Sequence, residues 1–184
     1  MSDNLIEIKT VQASAFRILV EALKEILTDA NFEIDETGIK MIAMDSSHTV
    51  LVHLKLTSDK FESYKCVEKR IIGINMINLF RIIKTMNNND TLVLFLEKSN
   101  DSVLGIKIEN SEKNTTSTFR LNLMDLNEDT ITIPPATFES VITMPSADFQ
   151  KIIRDMHNYA DFIDIKSVED HLIFSCKGDF CSQE

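Results

Sequence analysis

One amphipathic helix design recurs three times in this chain and sets the terms for any fold. The segments around Phe16, Phe80 and Phe149 each place aliphatic residues at helical spacing. Each also carries basic residues on its polar side and runs into strand-like sequence. In residues 11–27, Phe16, Leu19, Val20, Leu23, Ile26 and Leu27 make one apolar stripe. Residues 76–86 repeat the spacing with Met76, Leu79, Phe80 and Ile83, and residues 149–156 with Phe149, Ile152, Ile153 and Met156. Ser14 and Asn75 are the expected N-caps, and Pro145-Ser146 is the expected start of the third helix. A recurrence of about 65 residues predicts an α+β chain built from one αββ-type unit used three times, each helix covered by a sheet.

Strand signals fill the intervals. Residues 31–35 alternate, Glu36-Thr37-Gly38 turns the chain, and 39–44 and 49–56 follow as apolar and β-branched runs. Residues 64–74 read as one further strand. Residues 91–96 and 103–108 pair across Ser99-Asn100-Asp101, and 116–123 alternate Phe119, Leu121 and Leu123 against Arg120 and Asn122. Around the third helix, residues 162–165 and 172–176 are strands, and 178–181 open another. Residues 125–135 break the pattern at Asn127-Glu128-Asp129 and Pro134-Pro135, as a connector laid over a surface does. The expected organisation is a first domain over 1–123, a connector over 124–137 and a half-built second domain over 138–184.

The chemistry of catalysis is missing from the sequence. Asp45, Asp90, Asp101, Asp125 and Asp161 stand at turns or element ends, where a carboxylate bonds local backbone. No glycine-rich phosphate loop, zinc-protease motif or nucleophile elbow occurs. Ser46, Ser47 and His48 are neighbours in sequence, which seldom makes a nucleophile–base pair. Cys66, Cys176 and Cys181 are widely spaced and read as reduced thiols in an intracellular protein. The expectation is no enzyme, no cofactor and no metal. No apolar run approaches the ~20 residues a membrane helix needs, and the acidic start lacks the pattern of a signal peptide.

Charge limits what remains. At a net −10, a general electrostatic field cannot hold nucleic acid, so any phosphate contact must be local or enforced by shape. The candidates are the helix cations. Arg17 and Lys24, seven apart, share one side of the first helix, while Arg81 and Lys84, and Lys151 and Arg154, are each three apart. Any amphipathic helix carries such residues on its wet face. Their repetition after the same Phe is what suggests a common cationic wall.

Several motifs together resemble the proliferating cell nuclear antigen family of DNA sliding clamps. They are Glu21-Ala22-Leu23-Lys24, Met44-Asp45-Ser46-Ser47-His48, Gly73-Ile74-Asn75, Leu123-Met124-Asp125-Leu126, Met144-Pro145-Ser146 and Arg154-Asp155. The resemblance runs over essentially the whole chain. It implies repeated helix-plus-β-meander units, with helices on the inner face of a homotrimeric ring and sheets outside, closed around duplex DNA. Arg17, Lys24, Arg81, Lys84, Lys151 and Arg154 then take the DNA-facing roles, with Ile18 standing where relatives often carry another lysine. The ring would be a processivity factor for DNA polymerase and a platform for the clamp loader and replication and repair proteins. Such partners dock a Gln-x-x-aliphatic-x-x-aromatic-aromatic motif into a pocket matched here by Met44, His48, Leu51, Ile131, Ile133 and Pro134.

The resemblance further implies a subunit contact along 116–123, with Phe119 and Leu121. The family extends past the end of this chain, so the 184 residues are expected not to form a stable closed trimer by themselves. The family's modified loop lysine falls on Glu169, and that regulation is not carried over. The implied setting is a nucleus or a viral replication compartment. Two other readings stay open: a checkpoint-type relative in a heterotrimer, and a peptide-binding scaffold that ignores DNA.

Overall fold

In the first unit each helix follows a strand and precedes a three-stranded meander, and the pairing of those strands organises that unit. The structure, a computed structural model, describes residues 3–126, 131, 137–138, 140–169 and 171–184. The chain divides into two compact units, Met1–Thr132 and Ile133–Glu184.

In the first unit, β1 (Asn4–Thr10) leads into α1 (Ala13–Ile26), followed by β2 (Asp29–Asp35), β3 (Gly38–Met44) and β4 (Leu51–Thr57). After a short β5 (Ser63–Cys66), the scheme repeats. β6 (Arg70–Asn75) leads into α2 (Met76–Ile83), then β7 (Thr91–Glu97), β8 (Asn100–Asn110) and β9 (Thr115–Asn122). The two halves exchange their leading strands. β1 joins the sheet of the second half, in order β5-β1-β7-β8-β9, and β6 joins that of the first, in order β4-β3-β2-β6. All these pairings are antiparallel. The unit therefore has an internal approximate two-fold design in which neither half completes its sheet alone.

Helix pattern and packing agree. Val20 and Leu23 of α1 and Leu79 and Ile83 of α2 enter one core with Ile8, Leu94, Phe32 and Ile72 from the sheets. Asn75 caps α2 as expected, its side-chain oxygen accepting from the Asn78 N–H at 2.9 Å. Ser14 does not cap α1. The helix begins two residues earlier than that cap would place it, at Ala13 behind Gln12, whose N–H donates to Thr10 Oγ1 at 3.0 Å. α2 also stops at Ile83 rather than Met86.

Two strand expectations need correction. β1 had no counterpart in the expected elements. Residues 64–74 hold two strands that serve different sheets, because β5 pairs with β1 whereas β6 pairs with β2. The chain leaving β9 then closes against β6. Met124 donates its N–H to Gly73 O at 2.9 Å, and Leu126 O accepts from Asn31 Nδ2 at 3.1 Å. A Cβ on Gly73 would lie 2.3 Å from Met124 O, so this approach requires glycine.

The second unit contains α3 (Ser146–His157), β10 (Ile163–Val168), β11 (His171–Lys177) and β12 (Ser182–Gln183), with sheet order β10-β11-β12. Gly178 donates its N–H to Cys181 O, so residues 178–181 turn the chain and the strand itself follows. Met156 and Cys176 are its buried apolar residues, and the Phe149 and Phe174 rings lie 6.2 Å apart.

Candidate DNA-facing helices and partner surface

α1 and α2 pack against each other, and their polar sides differ in charge. On α2, Ile77, Arg81 and Lys84 follow one another at spacings of four and three along the exposed stripe. Both cations lie in or just past its last turn, where positive charge complements the helix dipole. On α1 the outward positions Ile18, Glu21, Ala22 and Glu25 carry no cation at all.

The α1 cations lie at its flank. The ammonium of Lys24 sits 4.8 Å from the centre of the Phe80 ring, pairs with Glu25 and leaves its side chain 20% exposed. Part of its charge is thus already engaged by a ring face and a carboxylate. Arg17, one helical side with Lys24, is half-buried, and its Nε is enclosed without a hydrogen-bond partner. In the second unit, Lys151 and Arg154 are both exposed on α3. The six expected cations are therefore not equivalent: four are exposed, whereas Arg17 is half-buried and Lys24 is engaged by Phe80 and Glu25.

The turn from β3 to β4 carries the second surface. Met44 and Leu51 face each other across the strand pair, and Met44, Val50 and Leu51 are 40%, 43% and 40% exposed. Such a patch at a hairpin end needs a rigid frame, and Asp45 supplies it. Asp45 Oδ1 accepts from the N–H groups of Thr49 (2.8 Å) and Val50 (2.7 Å), and Oδ2 accepts from Ser47 Oγ and Ser47 N. The Ser47 hydroxyl, followed by the Val50 N–H, holds this carboxyl well below the usual carboxylate range. His48 takes a left-handed turn at φ 56°, which brings its N–H to Asp45 O at 3.0 Å.

From sequence Asp45 is a turn residue within the Met44–His48 motif, with no framing role, and Val50 carries no expected role. The run Thr49-Val50-Leu51 was the available signal, since it puts two apolar side chains at the mouth of a turn. Ile131 is half-buried, while Ile133 and Pro134 lie outside the described residues.

β9 is an outer strand, paired with β8 on one side only. Leu121 is 8% exposed and belongs to the core of its own unit; Phe119 is 37% exposed. Of the two residues expected at a subunit contact, Leu121 thus serves internal packing, and the open feature of this edge is its backbone. The other isolated carboxylate of interest, Asp90, is buried and accepts from Asn87 N (2.8 Å) and Asn110 Nδ2 (2.6 Å), a structural role. Among the described residues no cluster of His, Cys, Asp and Glu could hold a metal.

Residues 5–130 match the family model for the proliferating cell nuclear antigen N-terminal domain, and residues 132–184 match that for its C-terminal domain. The chain is 33% identical to the "Probable DNA polymerase sliding clamp 1" of Paramecium bursaria Chlorella virus 1, over 98% of this chain and 70% of that protein. It is 34% identical to the "Proliferating cell nuclear antigen" of Chaetomium thermophilum, over 95% of this chain and 67% of that one. With both domain models matched end to end behind the repeated basic helices, the chain belongs to the proliferating cell nuclear antigen family of DNA sliding clamps.

Proposed function

We propose that the chain works as a non-enzymatic subunit of a ring that encircles duplex DNA and tethers DNA polymerase to it. The observation that carries this reading is the placement of exposed cations on equivalent helices in a chain of net charge −10. An acidic body repels DNA from its outer surface, while a few inward cations give weak contact that slides. Retention then comes from closure of the ring and needs no tight site. Arg81, Lys84, Lys151 and Arg154 are the principal contacts. Arg17 and Lys24 contribute less, because their charges are partly buried or paired.

Copies would join through backbone pairing at the open β9 edge, with Phe119 beside it. Partner proteins, including the clamp loader and polymerase, would dock an aromatic-ended motif on the Met44–Val50–Leu51 surface, completed by His48, Ile131, Ile133 and Pro134. Exposed apolar side chains on a hydrogen-bonded frame suit such anchors, because the frame is ordered before binding. The working place is a nucleus or a viral replication site.

The test is charge reversal at Arg81 and Lys84 together. Polymerase processivity stimulated by the clamp should fall. The slope of log affinity for DNA against log salt should also shrink by about 2, one per lost phosphate contact. Unchanged processivity with peptide docking intact would favour a scaffold that ignores DNA.

A further inference from the structure

The two helices of the first unit carry opposite charge on one shared layer. α1 and α2 pack against each other and sink their apolar stripes into one core, so their exposed stripes face the same side. On α2 that stripe ends in Arg81 and Lys84, where positive charge suits the helix dipole. On α1, the burial of Val20, Leu23 and Leu27 turns Ile18, Glu21, Ala22 and Glu25 outward, and all four are exposed. Glu21 and Glu25 therefore stand one helical turn apart on the solvent side, beside the α2 cations.

This is an unfavourable place for two carboxylates. Like charges at i and i+4 repel, and Glu25 lies in the last turn of α1, where the helix already carries partial negative charge. Lys24 pairs with Glu25 while its ammonium sits over the Phe80 ring, and Glu21 makes no ion pair among the described residues. A helix that had only to fold would carry glutamine or lysine at these positions. Local rules broken on an exposed face mark a place where function sets the residue. On the shared stripe, the two carboxylates of α1 cancel the two cations of α2. Packed helices lie about 8–10 Å apart, roughly one Debye length at physiological salt. A phosphate held by Arg81 or Lys84 still feels the charge on α1.

We infer that Glu21 and Glu25 form an anionic stand-off that repels the duplex backbone from α1 and limits how tightly one subunit holds phosphate. They are positioning residues: they hold the duplex to the α2 side of the helix layer and keep each contact weak enough to break as the ring moves. The inference rests on the DNA-encircling reading and adds to it a repulsive element, the kind of device that excludes unwanted contacts. A basic protein segment suits this face poorly, because Arg81 and Lys84 on the neighbouring helix repel it.

The test is the salt dependence of binding between the 184-residue chain and a short linear duplex, read by fluorescence anisotropy from low ionic strength upward. Glu21→Gln with Glu25→Gln should tighten binding about threefold at low salt. Glu21→Lys with Glu25→Lys should tighten it about tenfold and steepen the slope of log affinity against log salt by about 2. A control pair, Glu36→Gln with Glu62→Gln, makes the same charge change at exposed positions off the helices and should leave affinity unchanged. The urea midpoint of the Glu21→Gln, Glu25→Gln variant should hold or rise. Unchanged affinity in both α1 variants, with binding still weakened by charge reversal at Arg81 and Lys84, would overturn the inference and leave the DNA-encircling reading standing. An equal gain from the control pair, or a lower urea midpoint for the α1 glutamine variant, would also overturn it, as a net-charge effect or a structural role. Binding indifferent to Arg81 and Lys84 would sink the reading itself, and the inference with it.

Discussion

Asp45 shows how much one side chain can organise. Its carboxylate gathers backbone N–H groups from Ser47, Thr49 and Val50, all of which would otherwise turn to water at the mouth of the β3–β4 hairpin. The lowered pKa of the group has a related cause: the Ser47 hydroxyl first, and then the Val50 N–H, stabilise the charged form. The exposed Met44, Val50 and Leu51 side chains are consequently presented on a fixed loop. Asp45→Ala should weaken binding of an aromatic-ended partner peptide about tenfold, equivalent to about 1.4 kcal/mol, as read by calorimetry. An unchanged affinity would mean that the loop frame has no part in docking. Lys24 illustrates the opposite lesson. A basic residue on a helix is free to meet phosphate only if no neighbour has claimed it, and Phe80 and Glu25 have.

Among the elements, the three helices were legible because an apolar stripe at helical spacing needs only local sequence to be recognised. Most of the strands were legible for the same reason. β1 (Asn4–Thr10) was not, because it lies at the start of the chain with no preceding turn to mark it. The division of residues 64–74 into β5 and β6 was also hidden, since which sheet a strand joins depends on partners distant in sequence. The site divides along the same line. Residue identity on the helices and in the Met44–Leu51 turn could be read, whereas the engagement of Lys24 depends on Phe80 of α2 packing beside it. Nor did anything in the sequence announce that Gly73 must let Met124 approach. Gly73→Ala forces a methyl group to within 2.3 Å of a carbonyl oxygen. It should destabilise the first unit by about 1–3 kcal/mol in urea unfolding, and a neutral result would show that the chain beyond β9 detaches freely from β6.

At the scale of the molecule, the balance of 19 basic against 29 acidic residues is the quantity to explain. A protein that held DNA by attraction alone would spend cations over its whole contact face, and its affinity would collapse with salt. Here the exposed helix cations are few, α1 presents Glu21 and Glu25 outward, and the remainder of the chain is acidic. The arrangement suits capture by enclosure, in which low affinity is an advantage because the ring must move along its track. Self-association is then part of the proposed function, and the open β9 edge is the component of it that the first unit supplies. The most direct measurement compares retention of the loaded protein on nicked circular duplex and on the same DNA made linear, after washing at high salt. Enclosure predicts that it stays on the circle and slides off the linear form. Equal retention on both, or equal loss from both, would contradict the account.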